Sequence, residues 1–100
     1  MVFGRIVNSP RNVLSPVQAL ELANIYLSNA RSTNDSSIAM VLCHDTEVSL
    51  AQAKRAAKHT EAHTIHDGIA ITYIELGKLL DSRGNRDEAQ ASYEKAQKLG

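Results

Sequence analysis

The sequence is poor in cysteine and carries no excess charge of either sign. Among its 100 residues, Cys43 is the single cysteine, and 11 basic residues balance 11 acidic ones at a formal net charge of zero. One cysteine cannot form an internal disulfide bond, which excludes the disulfide-stapled class of small secreted domains. A chain without excess positive charge has no general attraction for nucleic acid or for an acidic membrane. We therefore expect neither kind of partner, and we expect an intracellular, cytoplasmic setting.

Long apolar runs and the sequence signatures of common enzymes are also missing. No segment approaches the roughly 18 to 20 consecutive apolar residues of a membrane-spanning helix. The sequence contains neither a glycine-rich phosphate loop nor a pair of catalytic carboxylates. With 43% hydrophobic residues the chain can still form one compact domain. These features predict a domain that is not an enzyme.

Local signals divide the chain into an arm and a helical domain. Residues 1–14 mix short apolar pieces with glycine, asparagine and proline, which predicts an irregular N-terminal arm. Residues 15–100 read as a four-helix domain. Ser15, Pro16 and Gln18 predict a capping box at the start of its first helix.

The remaining helix ends follow from similar signals. Asn34 or Asp35 is expected to cap a second helix that runs to about Lys58. The third helix includes residues 69–82, and the sequence leaves open where between residues 59 and 69 it begins. Gly84 suits the left-handed turn after it, and Asn85 with Glu88 predicts a capping pair for a fourth helix that ends near Leu99.

Small and large apolar residues recur through the last third of the chain at the separations of a helix-turn-helix repeat. They are Tyr73, Leu76, Gly77, Leu80, Gly84, Ala89, Tyr93 and Ala96. On these residues the stretch resembles one tetratricopeptide repeat. The resemblance implies an all-α fold of antiparallel helical hairpins with right-handed superhelical packing. It also implies that these eight residues are structural and carry no chemistry.

The first hairpin resembles the repeat only weakly. Its best alignment sets Leu22 and Ala23 at the positions of Leu76 and Gly77, and its turn is expected to be longer.

In the tetratricopeptide family, ligands usually lie along the concave face that the first helix of each hairpin forms. When the positions of that face are transferred to this sequence, they comprise Val17, Leu20, Asn24 and Leu27 from the first hairpin and Ile71, Ile74, Lys78 and Asp81 from the second. Five of these eight are apolar, so something is expected to cover them. The candidates are the N-terminal arm, a second copy in a homodimer, or a separate protein or peptide.

Histidines and the lone cysteine are the remaining candidates for chemistry. His59, His63 and His66 have the spacing of one helix face and offer a distant alternative as a metal site. Solvated histidines are the preferred interpretation, and no cofactor is expected. Cys43 falls on an apolar flank and is predicted to be a small buried side chain.

The sequence therefore predicts a non-enzymatic protein–protein interaction module, a scaffold that is part of a larger assembly or a partner to one. The alternative function is a homo-oligomerisation domain.

Overall fold

The computed structural model describes residues 15–57 and 63–99, and the arm predicted for residues 1–14 lies outside these ranges. Four helices follow one another along the chain: α1 Pro16–Ser32, α2 Ser36–Ala57, α3 His63–Ser82 and α4 Arg86–Leu99. These helices hold 91% of the described residues, among which there is no strand, so the predicted all-α class is confirmed.

Hydrogen bonds at the starts of α1 and α2 follow the local sequence. The hydroxyl of Ser15 accepts from the backbone N–H of Gln18, whose side chain accepts from the N–H of Ser15, and this is the predicted capping box. A carboxylate oxygen of Asp35 accepts from the N–H groups of Ser37 and Ile38 at 2.9 and 3.1 Å. Each cap satisfies N–H groups that have no partner inside the helix.

The start of α4 differs from the prediction. The side-chain amide of Asn85 donates to Sδ of Met40 at 3.1 Å and makes no capping pair with Glu88. Met40 belongs to α2, so a contact between the two hairpins replaces the local cap. Gly84 has the predicted left-handed conformation, with φ of 85°.

The helices pair as two hairpins that pack on each other. α1 packs along α2, and α3 packs along α4. Because each pair is joined by only three residues, 33–35 and 83–85, the paired helices are antiparallel. α3 also contacts both α1 and α2, so it forms most of the junction between the hairpins.

The two hairpins repeat each other at a separation of 50 residues. α1 and α3 end at Ser32 and Ser82, and α2 and α4 begin at Ser36 and Arg86. Burial repeats at the same separation. Both members are buried in the pairs Ala19 and Ile69, Ala23 and Tyr73, Leu27 and Gly77, Ala30 and Leu80, Ala39 and Ala89, and Thr46 and Ala96.

This register corrects the predicted alignment of the first helix of the first hairpin. Its turn is as long as the second one, and Tyr26 and Leu27, rather than Leu22 and Ala23, correspond to Leu76 and Gly77. The prediction matched similar residue types, whereas the turn and the buried positions determine which residues correspond in the fold.

The repeat-like residues of the second hairpin lie mainly in its core. Those with side chains less than about a twentieth exposed are Tyr73, Leu76, Leu80, Ala89 and Ala96. A Cβ atom on Gly77 would lie only 2.6 Å from Cε1 of Tyr93, which is half-buried. Glycine at this position therefore allows α3 and α4 to approach closely.

Candidate protein-interaction surface

α1 and α3 lie side by side and point in the same direction. Near the middle of α1, Oδ1 of Asn24 accepts from the hydroxyl of Thr72 at 3.3 Å. Further along both helices, Arg31 and Glu75 form an ion pair of 2.7 Å. Because these contacts advance along α1 and α3 together, the two helices are parallel and present one shared outer surface.

A small charge network crosses this surface. Glu75 pairs with Arg31 of α1 and, through its other oxygen, with Lys78 at 3.2 Å. The three side chains are between 37% and 63% exposed, and exposed pairs of this kind contribute at most about 1 kcal/mol each. The network therefore orients charged groups on the surface more than it stabilises the fold.

Six of the eight predicted contact residues are exposed. They are Val17, Asn24, Ile71, Ile74, Lys78 and Asp81. Leu20 is half-buried, and a Cβ on Gly68 of α3 would lie 2.7 Å from its Cδ2 atom. Leu27 is only 2% exposed and belongs to the core, which corrects its predicted place on the concave face.

The 50-residue repeat explains this correction and defines the surface. The counterparts of Ile71, Ile74, Lys78 and Asp81 on α1 are Glu21, Asn24, Ser28 and Arg31, and all eight are exposed. Together with Val17 these residues form what we call the α1–α3 face. Only three of its nine side chains are apolar, so the surface is more polar than the sequence predicted.

A groove that sequence reasoning did not find lies between α3 and α4. Its lining residues, Ile74, Gln90, Tyr93, Ala96 and Gln97, enclose about 480 Å³ of open space. We call it the α3–α4 groove. The sequence predicts only a packing role for Tyr93 and Ala96, but both also line this groove.

Arg83 joins the two hairpins, whereas the turn sequence Arg83-Gly84-Asn85-Arg86 predicts two solvated charges. Its guanidinium donates to the carbonyl oxygens of Ala30 and Thr33, both at 3.1 Å. These carbonyls lie at the end of α1, where they lack helical partners and carry the negative end of the helix dipole. Arg86, in contrast, is exposed as predicted.

The described residues offer little reactive chemistry. Cys43 is 3% exposed, as predicted, and burial raises the pKa of its thiol, with nearby Arg83 acting in the opposite direction. A buried, protonated thiol is a poor nucleophile.

The metal-site alternative depends on residues that are only partly described. His59 lies outside the described ranges, α3 begins at His63, and His66 is half-buried. Within 15–57 and 63–99 no three histidine, cysteine, aspartate or glutamate side chains are grouped so that they could hold a metal ion.

No family model, curated protein or solved structure matches this chain. Among the helices of the described segments, none has the length and apolar character needed to cross a membrane. Similarity therefore assigns neither family nor activity, and the surfaces of the molecule are the basis for a functional proposal.

Proposed function

We propose that this protein is a non-enzymatic interaction module, a tetratricopeptide-like scaffold that binds a polypeptide on the α1–α3 face. One observation carries the proposal: two parallel, adjacent helices expose an ordered row of aliphatic and charged side chains. Ile71 is 59% exposed and Val17 is 49% exposed, although both lie on well-packed helices. Exposed aliphatic residues on a rigid framework are typical of a surface that becomes buried when a partner binds.

The tetratricopeptide-like assignment has its own support. α3 contacts both helices of the preceding hairpin, the close approach at Gly77 lies where the repeat pattern has its small residue, and Gly84 forms the left-handed turn between α3 and α4. The right-handed superhelical sense is part of the proposal.

The chemistry of the face suggests the kind of polypeptide that it binds. Aliphatic Val17 and Ile71 alternate with groups that donate or accept hydrogen bonds, among them Glu21, Asn24 and Lys78. An extended segment with both apolar and polar side chains matches this mixture better than a wholly apolar helix would. We therefore propose an extended peptide as the ligand.

The test is a selection of peptides from a phage-displayed library of random dodecapeptides on the immobilised protein. We expect enriched peptides whose affinity falls at least about tenfold, or ~1.4 kcal/mol, in Ile71→Glu, because a buried carboxylate replaces an aliphatic contact. Val41→Glu is the matched control, since Val41 is 60% exposed but lies on α2, outside the α1–α3 face.

Two outcomes would contradict the proposal. The selection could yield no peptide above the background of the empty support, or the enriched peptides could bind Ile71→Glu as well as the wild type. The metal-binding alternative is not proposed, because no contact among the described residues favours it. The homo-oligomerisation alternative is favoured by a different set of exposed residues, considered next.

A further inference from the structure

We propose that copies of this chain stack head to tail, with the outer side of the first hairpin of one copy seated in the α3–α4 groove of the next. This inference goes beyond the proposed function, since it rests on the 50-residue repeat and not on peptide binding at the α1–α3 face, with which the α3–α4 groove shares Ile74. The junction between the two hairpins within one molecule is the pattern for the contact.

The first hairpin contributes one side of that junction. Asn24 accepts from Thr72, and Met40 accepts from Asn85. Further along α2, Glu47 pairs with Lys95 of α4. Cys43, His44 and Glu47 also line a crevice of about 70 Å³ whose other walls come from α3 and α4.

The α3–α4 groove is the same surface repeated 50 residues later. The counterparts of Asn24, Met40, Cys43, Thr46 and Glu47 are Ile74, Gln90, Tyr93, Ala96 and Gln97, and these five residues are the complete lining of the groove. In the first hairpin the second hairpin covers part of this surface, with Asn24 still exposed at its edge. In the second hairpin it is open.

The first hairpin exposes the complementary surface. Besides Arg83, Asn85 and Lys95, the second hairpin reaches the first through Thr72, Glu75, Glu88 and Ala91. The counterparts of these last four are Leu22, Ile25, Ile38 and Val41. We call these four counterparts the leading face. Leu22 is half-buried, while Ile25, Ile38 and Val41 are 56%, 51% and 60% exposed.

Two pairs of side chains at matched positions fit each other in this arrangement, whereas Ile25 falls opposite Asp81, where the internal junction has Glu75 and Arg31. Continuing the internal register places Leu22 of one copy against Ile74 of another, where the internal junction has the hydrogen-bonded pair Thr72 and Asn24. It also places Asp45 beside Gln97, where the internal junction has Lys95 and Glu47. The hydrogen-bonded pair Thr72 and Asn24 is thus replaced by the apolar pair Leu22 and Ile74. The ion pair is replaced by Asp45 and Gln97, which can form a hydrogen bond and do not carry like charges.

Burial of the exposed aliphatic residues supplies the driving force. Ile38 and Val41 correspond to Glu88 and Ala91, which line the internal crevice beside Cys43. Because Tyr93 is the counterpart of Cys43, stacking places Ile38 and Val41 beside Tyr93 of the other copy. Burying such side chains removes apolar surface from water, which favours association. Because the leading face and the α3–α4 groove are different surfaces, the contact is heterologous, and repeated stacking produces chains of copies rather than a closed dimer.

The first experiment is light scattering of the full-length protein over about a hundredfold dilution, since association shifts with concentration by mass action. We expect a mean mass that increases with concentration through dimer to larger species. A mass that stays at the monomer value throughout would overturn the proposal. So would a monomer that associates only after residues 1–14 are deleted, because that result would make the arm the occupant of one of the two surfaces.

Two variants then test the direction of stacking. Val41→Glu blocks the leading face, and Ile74→Arg blocks the α3–α4 groove. Each variant alone should remain monomeric. An equal mixture should form dimers and nothing larger, because Val41→Glu retains an intact α3–α4 groove and Ile74→Arg retains an intact leading face. Ile71→Glu, on the α1–α3 face, is the control and should associate like the wild type.

A symmetric dimer gives a different result and would overturn the proposal. In that case one of the two variants would self-associate like the wild type, and mixing would produce no new species. Circular dichroism verifies that each variant folds, and Ile38→Glu and Gln90→Arg are second variants of the same two surfaces if either fails to fold.

Discussion

At the residue scale, two glycines in the interior of α3 face different neighbours. A Cβ on Gly77 would meet three atoms of the Tyr93 ring at 2.6 to 3.0 Å. A Cβ on Gly68 would meet Cδ2 of Leu20 at 2.7 Å, and the next nearest atom is 4.0 Å away. The Tyr93 ring is rigid and meets the added Cβ with three atoms, whereas only the end of a flexible leucine side chain meets it at Gly68.

The pair Gly77→Ala and Gly68→Ala tests this difference. Replacing glycine by alanine inside a helix contributes up to about 1 kcal/mol through helix propensity, while overpacking a tight contact costs about 1 to 3 kcal/mol. We expect Gly77→Ala to lower the free energy of unfolding by about 1 kcal/mol and Gly68→Ala to leave it unchanged or raise it. Urea denaturation followed by circular dichroism measures both. Equal stability changes in the two variants would contradict the close contact at Gly77.

At the scale of elements, the turn between α3 and α4 holds the end of α1. The guanidinium of Arg83 donates to Ala30 and Thr33, and the neighbouring Asn85 contacts Met40 of α2. This three-residue turn therefore does more than reverse the chain, because its side chains connect the second hairpin to both helices of the first.

Arg83→Met should separate this role from simple packing, since methionine retains part of the apolar stem but donates no hydrogen bond. Two carbonyls at the end of α1 would lose a charged donor, and we expect the free energy of unfolding to fall by about 1.5 to 3 kcal/mol. Arg86→Met is the control: its ion pair with Asp81 is 3.9 Å long and its side chain is 88% exposed, so a change within about 0.5 kcal/mol is expected. Thermal unfolding of the two variants gives the comparison, and similar losses would show that the Arg83 contacts contribute nothing specific.

At the scale of the whole molecule, the two hairpins depend on each other. The hairpins share one core cluster that includes Leu50 of the first and Ile69 of the second, each with no exposed surface. Lys95 of α4 pairs with Glu47 of α2 and lies 5.9 Å from the centre of the Tyr73 ring. Separation of the hairpins would expose this shared surface on both sides.

Peptides that span 15–57 and 63–99 test this dependence. Chains near or below about 40 residues seldom bury enough surface to fold alone, and single helical hairpins of a repeat array need neighbours. We expect each peptide to have less than about half of the helicity per residue of the intact protein by circular dichroism. Two peptides that are as helical as the intact chain would contradict the shared core.

Much of the fold could be predicted from the sequence because its signals act over short distances. The capping box of Ser15 and Gln18, the cap at Asp35 and the left-handed turn at Gly84 each involve groups within about four residues of each other. The four helices and the all-α class follow from such signals together with the apolar periodicity. Burial of Cys43 was predictable for the same reason, since it lies on the apolar flank of one helix.

Only the tertiary structure determined how the two hairpins correspond and which surfaces stay open. Leu27 is buried instead of lying on the α1–α3 face, Asn85 contacts Met40 instead of capping α4, and Arg83 binds the end of α1 instead of solvent. The contacts of Asn85 and Arg83 join groups 45 to 53 residues apart. Local helix propensity does not include the free energy of such contacts. By itself the sequence determines the four helices and several of their ends, but not the start of α3. Packing between the hairpins selects the register, the buried face and the two outward surfaces.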